Sequence, residues 1–175
     1  MSKPKLFCTH VLFDQPRERL AEHFDVEYWT GNQRPPRPEV LKRVAGKDAL
    51  ICLLTEKVDA ELLEGAGPNL RIVANVAVGF DNIDVPECTA RNIAVTNTPG
   101  VLDETTADFT WALLMAVARR VVEGDRFARS GAWLHWNLDL LCGTDVWGKT
   151  LGIVGFGRIG RAVARRAAGF RMRVI

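Results

Sequence analysis

One stretch restricts the fold more than any other: LGIVGFGRIGRAVARRAAGFRMRVI, from Leu151 to Ile175. An apolar run, three glycines, a helix-forming run and a second apolar run follow one another over the length of a single strand–helix–strand unit. The pattern predicts a strand over Leu151–Val154, a helix over about 158–168 closed by Gly169 as a C-cap, and a new strand beginning in FRMRVI. Parallel strands joined through a helix form a sheet covered on its faces, so the chain is expected to be an α/β protein.

The glycines, Gly155, Gly157 and Gly160, have the G-x-G-x-x-G spacing, which carries weight because it sits between a strand and a helix. Gly155 permits the tight turn, Gly157 lets the backbone approach a pyrophosphate, and Gly160 lets the helix lie close to the strand. The first N–H groups of the helix then face the phosphates with about half a unit of positive charge. Gly155, Phe156, Gly157, Arg158, Ile159 and Gly160 are therefore the candidate cofactor-binding residues, with Arg158 placed to pair with a phosphate oxygen. The alternative is a glycine-rich turn that binds nothing. Arg161, Arg165 and Arg166 read as a solvated face. The acid that separates NAD from NADP lies about 20 residues beyond the start of such a motif, at or after Ile175, so both cofactors stay open.

Upstream, short β-like runs alternate with helical ones. KLFCTHVLF, DVEYWT, ALICLL, NLRIVANVAV and IAVTNT read as strands, and ALICLL and NLRIVANVAV lack the alternation of a half-exposed strand, as parallel strands covered on both faces do. QPRERLAEHF, PEVLKRVAG, DAELLEGAG and VPECTARN read as helices, the first with Leu20 and Phe24 on one face. GNQRPPRP is a loop. A boundary is expected at NTPGV, separating residues 1–98 from 99–175. Beyond it a long helix is predicted from about Glu104 to Val122, with Thr105 and Asp108 in capping-box spacing. Its segment WALLMAVA is apolar all round, which predicts burial on more than one side, either in the core or shared with a second subunit. SGAWLHWNLDLLCGTDVWGKT follows as a loop-rich segment with three tryptophans.

Composition narrows the class. With 47% hydrophobic and 25% charged residues the 175-residue chain is ordinary for a soluble globular protein. A net charge of +2 argues for neither a nucleic-acid nor a membrane partner. No targeting segment is apparent, and WALLMAVA is too short to span a bilayer, so a cytoplasmic location is expected. The four cysteines and three histidines are scattered, which points to reduced thiols and away from a zinc site.

NVAVGFDNIDV, VTNTPGVLDETTADFTWALLMAVAR, GDRFARSGAW and GKTLGIVGFGRIG, in this order, resemble the D-2-hydroxy-acid dehydrogenase family, in wording closest to its glyoxylate and hydroxypyruvate reductase branch. The resemblance implies a flavodoxin-like substrate domain, whose N-terminal part is residues 1–98, followed by the start of an NAD(P)-binding Rossmann domain at 99–175. A cleft between them would bring a small 2-oxo or 2-hydroxy acid to NAD or NADP. It also implies that the backbone N–H groups of Val78 and Gly79 grip the acid's carboxylate, that Thr106 lies near the nicotinamide, and that Trp136 reaches a neighbouring subunit's substrate pocket. Beside these readings, Asp81, Asn82 and Asp84 can be local caps of an ordinary turn, Thr106 a plain helical residue, and Trp136 an aromatic packed in its own loop.

The family's catalytic arginine, glutamate and histidine belong to its later half. His10 (in the first strand), His23 (in the first helix) and His135 (in the tryptophan loop) have the wrong settings, so no catalytic residue is assigned. The expectation is the N-terminal half of a reductase, dimerising through the 104–122 helix and the 131–147 loop. By itself it is expected to aggregate or bind NAD(P) poorly, and not to turn over glyoxylate. The alternatives from other classes are a non-catalytic dinucleotide-sensing scaffold and a dimerising fragment.

Overall fold

The computed structural model describes residues 2–175, which divide into two compact units meeting at Pro99–Gly100. The first contains β1 (Lys5–Cys8), α1 (Asp14–His23), β2 (Asp25–Tyr28), α2 (Arg37–Val44), β3 (Ala49–Cys52), α3 (Ala60–Ala66), β4 (Ile72–Asn75), α4 (Val85–Ala90) and β5 (Ala94–Thr96). All five strands are parallel, in the order β2-β1-β3-β4-β5, which is the flavodoxin-like winding.

The order explains the sequence pattern. β1, β3 and β4 lie inside the sheet, and their side chains Phe7, Leu50, Cys52 and Val73 are fully buried. Val40 and Val44 of α2, Leu62, Leu63 and Ala66 of α3, and Cys88 of α4 pack into the same core. Burying a side chain of Leu or Val size contributes about 1.5–3 kcal/mol, so these few residues dominate the unit's stability. The helix ends are set locally: Asp59 accepts from the Leu62 N–H and Asp84 from the Glu87 N–H, each as an N-cap. The helix α1 buries no residue, and its Leu20 is only half-buried, so that predicted face is weakly used. His10 falls just past the end of β1 rather than within it.

The second unit contains α5 (Asp103–Ala118), α6 (Val121–Arg129), β6 (Thr150–Leu151), α7 (Arg158–Ala167) and β7 (Arg173–Val174). β6 and β7 pair in parallel, and the Ile153 N–H extends the ladder to the Ile175 carbonyl at 2.9 Å. This is the opening strand–helix–strand of a Rossmann unit. Its core is formed by Ala107 and Trp111 of α5, Val146, and Ala162, Val163 and Ala167 of α7.

Four expectations for this unit are corrected. The 104–122 helix is two helices, broken where Arg120 takes a left-handed φ of 52°. No proline or glycine marks the break. The Ala118 carbonyl instead accepts from the Thr144 N–H at 2.7 Å, and the approach is so close that a Cβ on Gly143 would meet the same oxygen at 2.3 Å. The predicted capping box does not form: α5 starts at Asp103 without a side-chain cap, and Asp108 pairs with Arg166. WALLMAVA is buried on one face only within the chain, Leu113 and Val117 being exposed with Phe109 beside them. Gly169 lies in a 3₁₀ turn, Ala168–Phe170, and the left-handed residue that ends it is Arg171, with φ 49°.

Arg165 and Arg166 are not merely solvated. Arg165 pairs with Glu104, and Arg166 with Glu104 at 2.9 Å and Asp108 at 2.6 Å, joining α7 to α5. No helix among the described residues is long and apolar enough to cross a membrane.

Candidate functional site

Two groups of backbone donors are built by the sequence, one in each unit. The first follows β4. In parallel sheets the carboxyl ends of the strands are where ligands bind, and Val76 to Asp81 occupy that end of β4. Val78 and Gly79 are half-buried there. Their carbonyls are tied to the protein: Val78 accepts from the Asn97 side-chain amide at 2.8 Å, and Gly79 from that of Asn75 at 2.8 Å. Their N–H groups meet no protein acceptor among the described residues. Gly79 has an ordinary φ, and a Cβ there would meet only Leu54 and Asp81 at van der Waals distance. Packing within the chain therefore does not require glycine at 79.

Three asparagines brace this turn, and the sequence reading missed two of them. Asn75 is fully buried and bonds Asn82 at 3.1 Å, while the Asn82 amide donates to the carbonyls of Leu53 at 3.1 Å and Glu56 at 2.9 Å. Asn82 is a bridge between loops, not a local cap. Asp84 is a cap. The signal for Asn75 was present: an amide side chain ending an otherwise apolar buried strand must find partners.

Beneath the turn, Glu56 is buried and accepts from Thr9 at 2.9 Å, the Leu53 N–H at 2.8 Å and Thr55 at 2.6 Å. Burial, with that carboxylate adding to it, pushes the Cys52 thiol up to about 12.

The second donor group is the glycine turn. Two of its three glycines have a physical reason within the chain. Gly155 holds φ 92°, open to glycine at little cost. A Cβ on Gly160 would stand 2.3 Å from the Gly155 carbonyl oxygen, so only glycine lets α7 lie this close to the turn. Gly157 is unlike both, with an ordinary φ and nothing within 4 Å of its Cβ position. Gly157 caps α7 without a side-chain bond, and no acidic residue lies in the first turn. The Arg161 N–H is the first to find a helical partner, the Gly157 carbonyl at 3.0 Å. The N–H groups of Arg158, Ile159 and Gly160 are left without an intrahelical acceptor.

Phe156 is exposed and Ile159 packs on the unit's core. The Arg158 guanidinium already has a neighbour, Asp103, at 3.4 Å, which the sequence did not foretell. Thr106 is exposed in the first turns of α5, where its N–H bonds the Leu102 carbonyl and its own carbonyl accepts from Thr110. Trp136 is 72% exposed. It lines a shallow cavity of about 290 Å³ with Phe127, Trp133, Leu140 and Leu141.

A flavodoxin-like unit followed by a strand, a G-x-G-x-x-G turn and a helix defines the class: an α/β protein with the opening of a dinucleotide-type fold. Residues 6–170 match the family D-isomer specific 2-hydroxyacid dehydrogenase, catalytic domain, and the chain belongs to that family. It is 54% identical to a glyoxylate reductase of Thermococcus kodakarensis over 177 residues, covering 99% of this chain and 53% of the relative. A glyoxylate reductase of Korarchaeum cryptofilum is 55% identical over 174 residues, covering 99% and 52%. A crystal structure of a protein from Thermus thermophilus superimposes with a TM-score of 0.92 at 47% identity, covering 97% of this chain and 54% of that one. An NADPH-dependent glyoxylate/hydroxypyruvate reductase from Sinorhizobium meliloti, in complex with NADP and malonate, gives 0.82 at 32% identity, covering 99% and 52%. The chain spans about half the length of the relatives it matches.

Proposed function

We propose that this chain supplies the carboxylate-binding and pyrophosphate-binding parts of an NAD(P)-dependent reductase of a small 2-oxo acid, glyoxylate or hydroxypyruvate, giving the D-2-hydroxy acid. Residues 1–98 are read as the N-terminal part of its substrate domain and 99–175 as the start of its cofactor domain. The observation that carries the reading is the head of α7: three unsatisfied N–H groups, no cap, no acid in the first turn, and open space at Gly157. A pyrophosphate fits such a helix terminus without further charge.

A bound nicotinamide dinucleotide would supply the hydride. The residues of this chain bind and orient. Gly155, Phe156, Gly157, Arg158, Ile159 and Gly160 hold the phosphates, Arg158 exchanging Asp103 for a phosphate oxygen, and Thr106 lies toward the nicotinamide. The Val78 and Gly79 N–H groups hold the carboxylate, so no side-chain charge is needed there. We assign no proton transfer to His10, His23 or His135. The malonate and NADP named for the Sinorhizobium meliloti relative support a small carboxylic acid and the phosphorylated cofactor as compounds to test, with NADH beside them because the residue that separates the two cofactors is not among residues 1–175.

Homodimerisation through the 104–122 segment and the 131–147 loop belongs to the same proposal, with Trp136 toward the partner's substrate. Phe109, Leu113, Val117, Trp133 and Trp136 leave an exposed apolar surface on these segments. Such surfaces mark association sites when contiguous.

The experiment is to join residues 1–175 to the C-terminal half of the Thermococcus kodakarensis relative and follow oxidation of NADH and NADPH with glyoxylate, hydroxypyruvate and pyruvate. Turnover is expected from the joined protein and not from residues 1–175 alone. A joined protein that folds and binds cofactor but reduces none of these acids contradicts the substrate class. Turnover by residues 1–175 alone contradicts the division of labour.

A further inference from the structure

We infer that Asn97 is a positioning residue for the carboxylate donors: its side-chain amide turns the Val78–Gly79 peptide so that the Gly79 N–H faces the same way as the Val78 N–H. The inference rests on the carboxylate reading above and identifies the residue that makes the donor pair.

Along a regular strand, successive N–H groups point to opposite sides, so two adjacent residues cannot offer both to one anion. After β4 this alternation is broken by two anchors. The Ala77 carbonyl accepts from the Thr98 N–H at 2.8 Å. The Val78 carbonyl accepts from the Asn97 side-chain amide, also at 2.8 Å. Two consecutive carbonyls are thus drawn toward two consecutive residues at the end of β5. No peptide bond among the described residues is cis, and across a planar trans peptide the next N–H points opposite to the carbonyl. The Val78 N–H therefore faces away from Thr98 and the Gly79 N–H away from Asn97. Both turn from the same segment, and both lack a protein acceptor among the described residues.

The two anchors differ in what they ask of the sequence. Thr98 uses its main chain, so nearly any residue would serve. Asn97 uses a side-chain donor at one fixed reach, and neither a carboxylate nor a hydrocarbon can replace it. Asn97 is half-buried, which limits competition from water for that donor. Asn75 does the same for the following peptide by holding the Gly79 carbonyl, so the turn is fixed on both sides of Gly79.

The test is ¹⁵N NMR on residues 1–175 with oxalate as the carboxylate probe, comparing the unsubstituted chain with Asn97→Ala and with the near-isosteric Asn97→Asp. The second variant serves if the first does not fold. In the unsubstituted chain oxalate is expected to shift the Val78 and Gly79 amides. In either variant the Gly79 N–H residual dipolar coupling is expected to change while that of Val78 stays, and oxalate is expected to bind roughly 10-fold more weakly, as for one lost hydrogen bond to a charged group. A Gly79 coupling that stays put, or an unchanged oxalate affinity, overturns the inference and leaves the carboxylate site standing. No oxalate response at Val78 and Gly79 in the unsubstituted chain overturns the carboxylate reading, and the inference with it.

Discussion

The indole N–H of Trp111 donates to the main-chain carbonyl of Val163 at 3.0 Å. The same ring stacks on Phe170, with centroids 4.8 Å apart and planes 9° from parallel. One side chain of α5 therefore engages both α7 and the turn that follows it. Trp111→Ala is expected to cost the second unit about 3–5 kcal/mol, through lost burial and a cavity. Trp111→Phe keeps the stack and removes only the indole bond to the Val163 carbonyl, which retains its helical partner, for about 1 kcal/mol. Thermal unfolding followed by tryptophan fluorescence and far-UV circular dichroism checks the ranking. Equal losses for the two variants would contradict it.

The glycines of the turn separate folding from binding. Gly160→Ala places a methyl group against the Gly155 carbonyl oxygen and is expected to destabilise by about 1–3 kcal/mol. Gly155→Ala must hold a left-handed φ, at about 1–2 kcal/mol. Gly157→Ala meets nothing and is expected to melt like the parent, while NADPH binding by the protein joined to its C-terminal half weakens by at least about 10-fold through lost N–H contacts. Melting curves and NADPH fluorescence titrations read the two effects separately. A Gly157→Ala variant that binds as the parent does would show that position 157 faces no ligand.

These three positions show how much could be read from residues alone. Spacing gave Gly155 its turn and Gly160 its packing because both are local demands of one strand-to-helix connection. The parallel sheet was legible for a similar reason: ALICLL and NLRIVANVAV are apolar without alternation, and β3 and β4 are indeed interior strands. What failed depended on distant partners. The break at Arg120 comes from Thr144 and Gly143 meeting Ala118, and the pairing of Arg166 with Asp108 bridges two helices. Asn97 looked like part of a boundary, since its role appears only once β5 lies beside β4.

Thiol reactivity should follow burial. Cys8, Cys52 and Cys88 are buried, burial raising each thiol above its ordinary value, whereas Cys142 is exposed. The thiolate is the reactive form, so at pH about 8 a disulfide reagent is expected to modify Cys142 quickly and the rest only on unfolding. Peptide mapping after timed labelling identifies the sites. Fast labelling of Cys52 in the folded protein would contradict the described core.

The Glu27 carboxylate receives Lys47 at 2.7 Å and Arg43 at 2.6 Å. The Lys47 bond is the largest influence, burial works against it, Arg43 helps, and the net effect holds the carboxyl below its ordinary range. A carboxyl with a lower pKa folded than unfolded stabilises the protein above its unfolded value, roughly pH 4.3, and that stabilisation is lost as pH falls through the folded value. Glu27→Gln is expected to melt slightly below the parent at pH 7, by a modest margin for a partly exposed pair. Toward pH 3 the two should converge. A gap that persists or widens in acid would contradict the pairing.

In the proposed function, bare N–H groups bind two anions, a dinucleotide at the head of α7 and a carboxylate after β4. Amide chemical-shift mapping of residues 1–175 joined to the C-terminal half of the Thermococcus kodakarensis relative, titrated separately with NADPH, NADH and oxalate, tests this. The dinucleotides are expected to move the amides of Gly155 to Gly160, and oxalate those of Val78 and Gly79. Dinucleotide-induced shifts that leave the glycine turn untouched, or oxalate-induced shifts that leave Val78 and Gly79 in place, would contradict it.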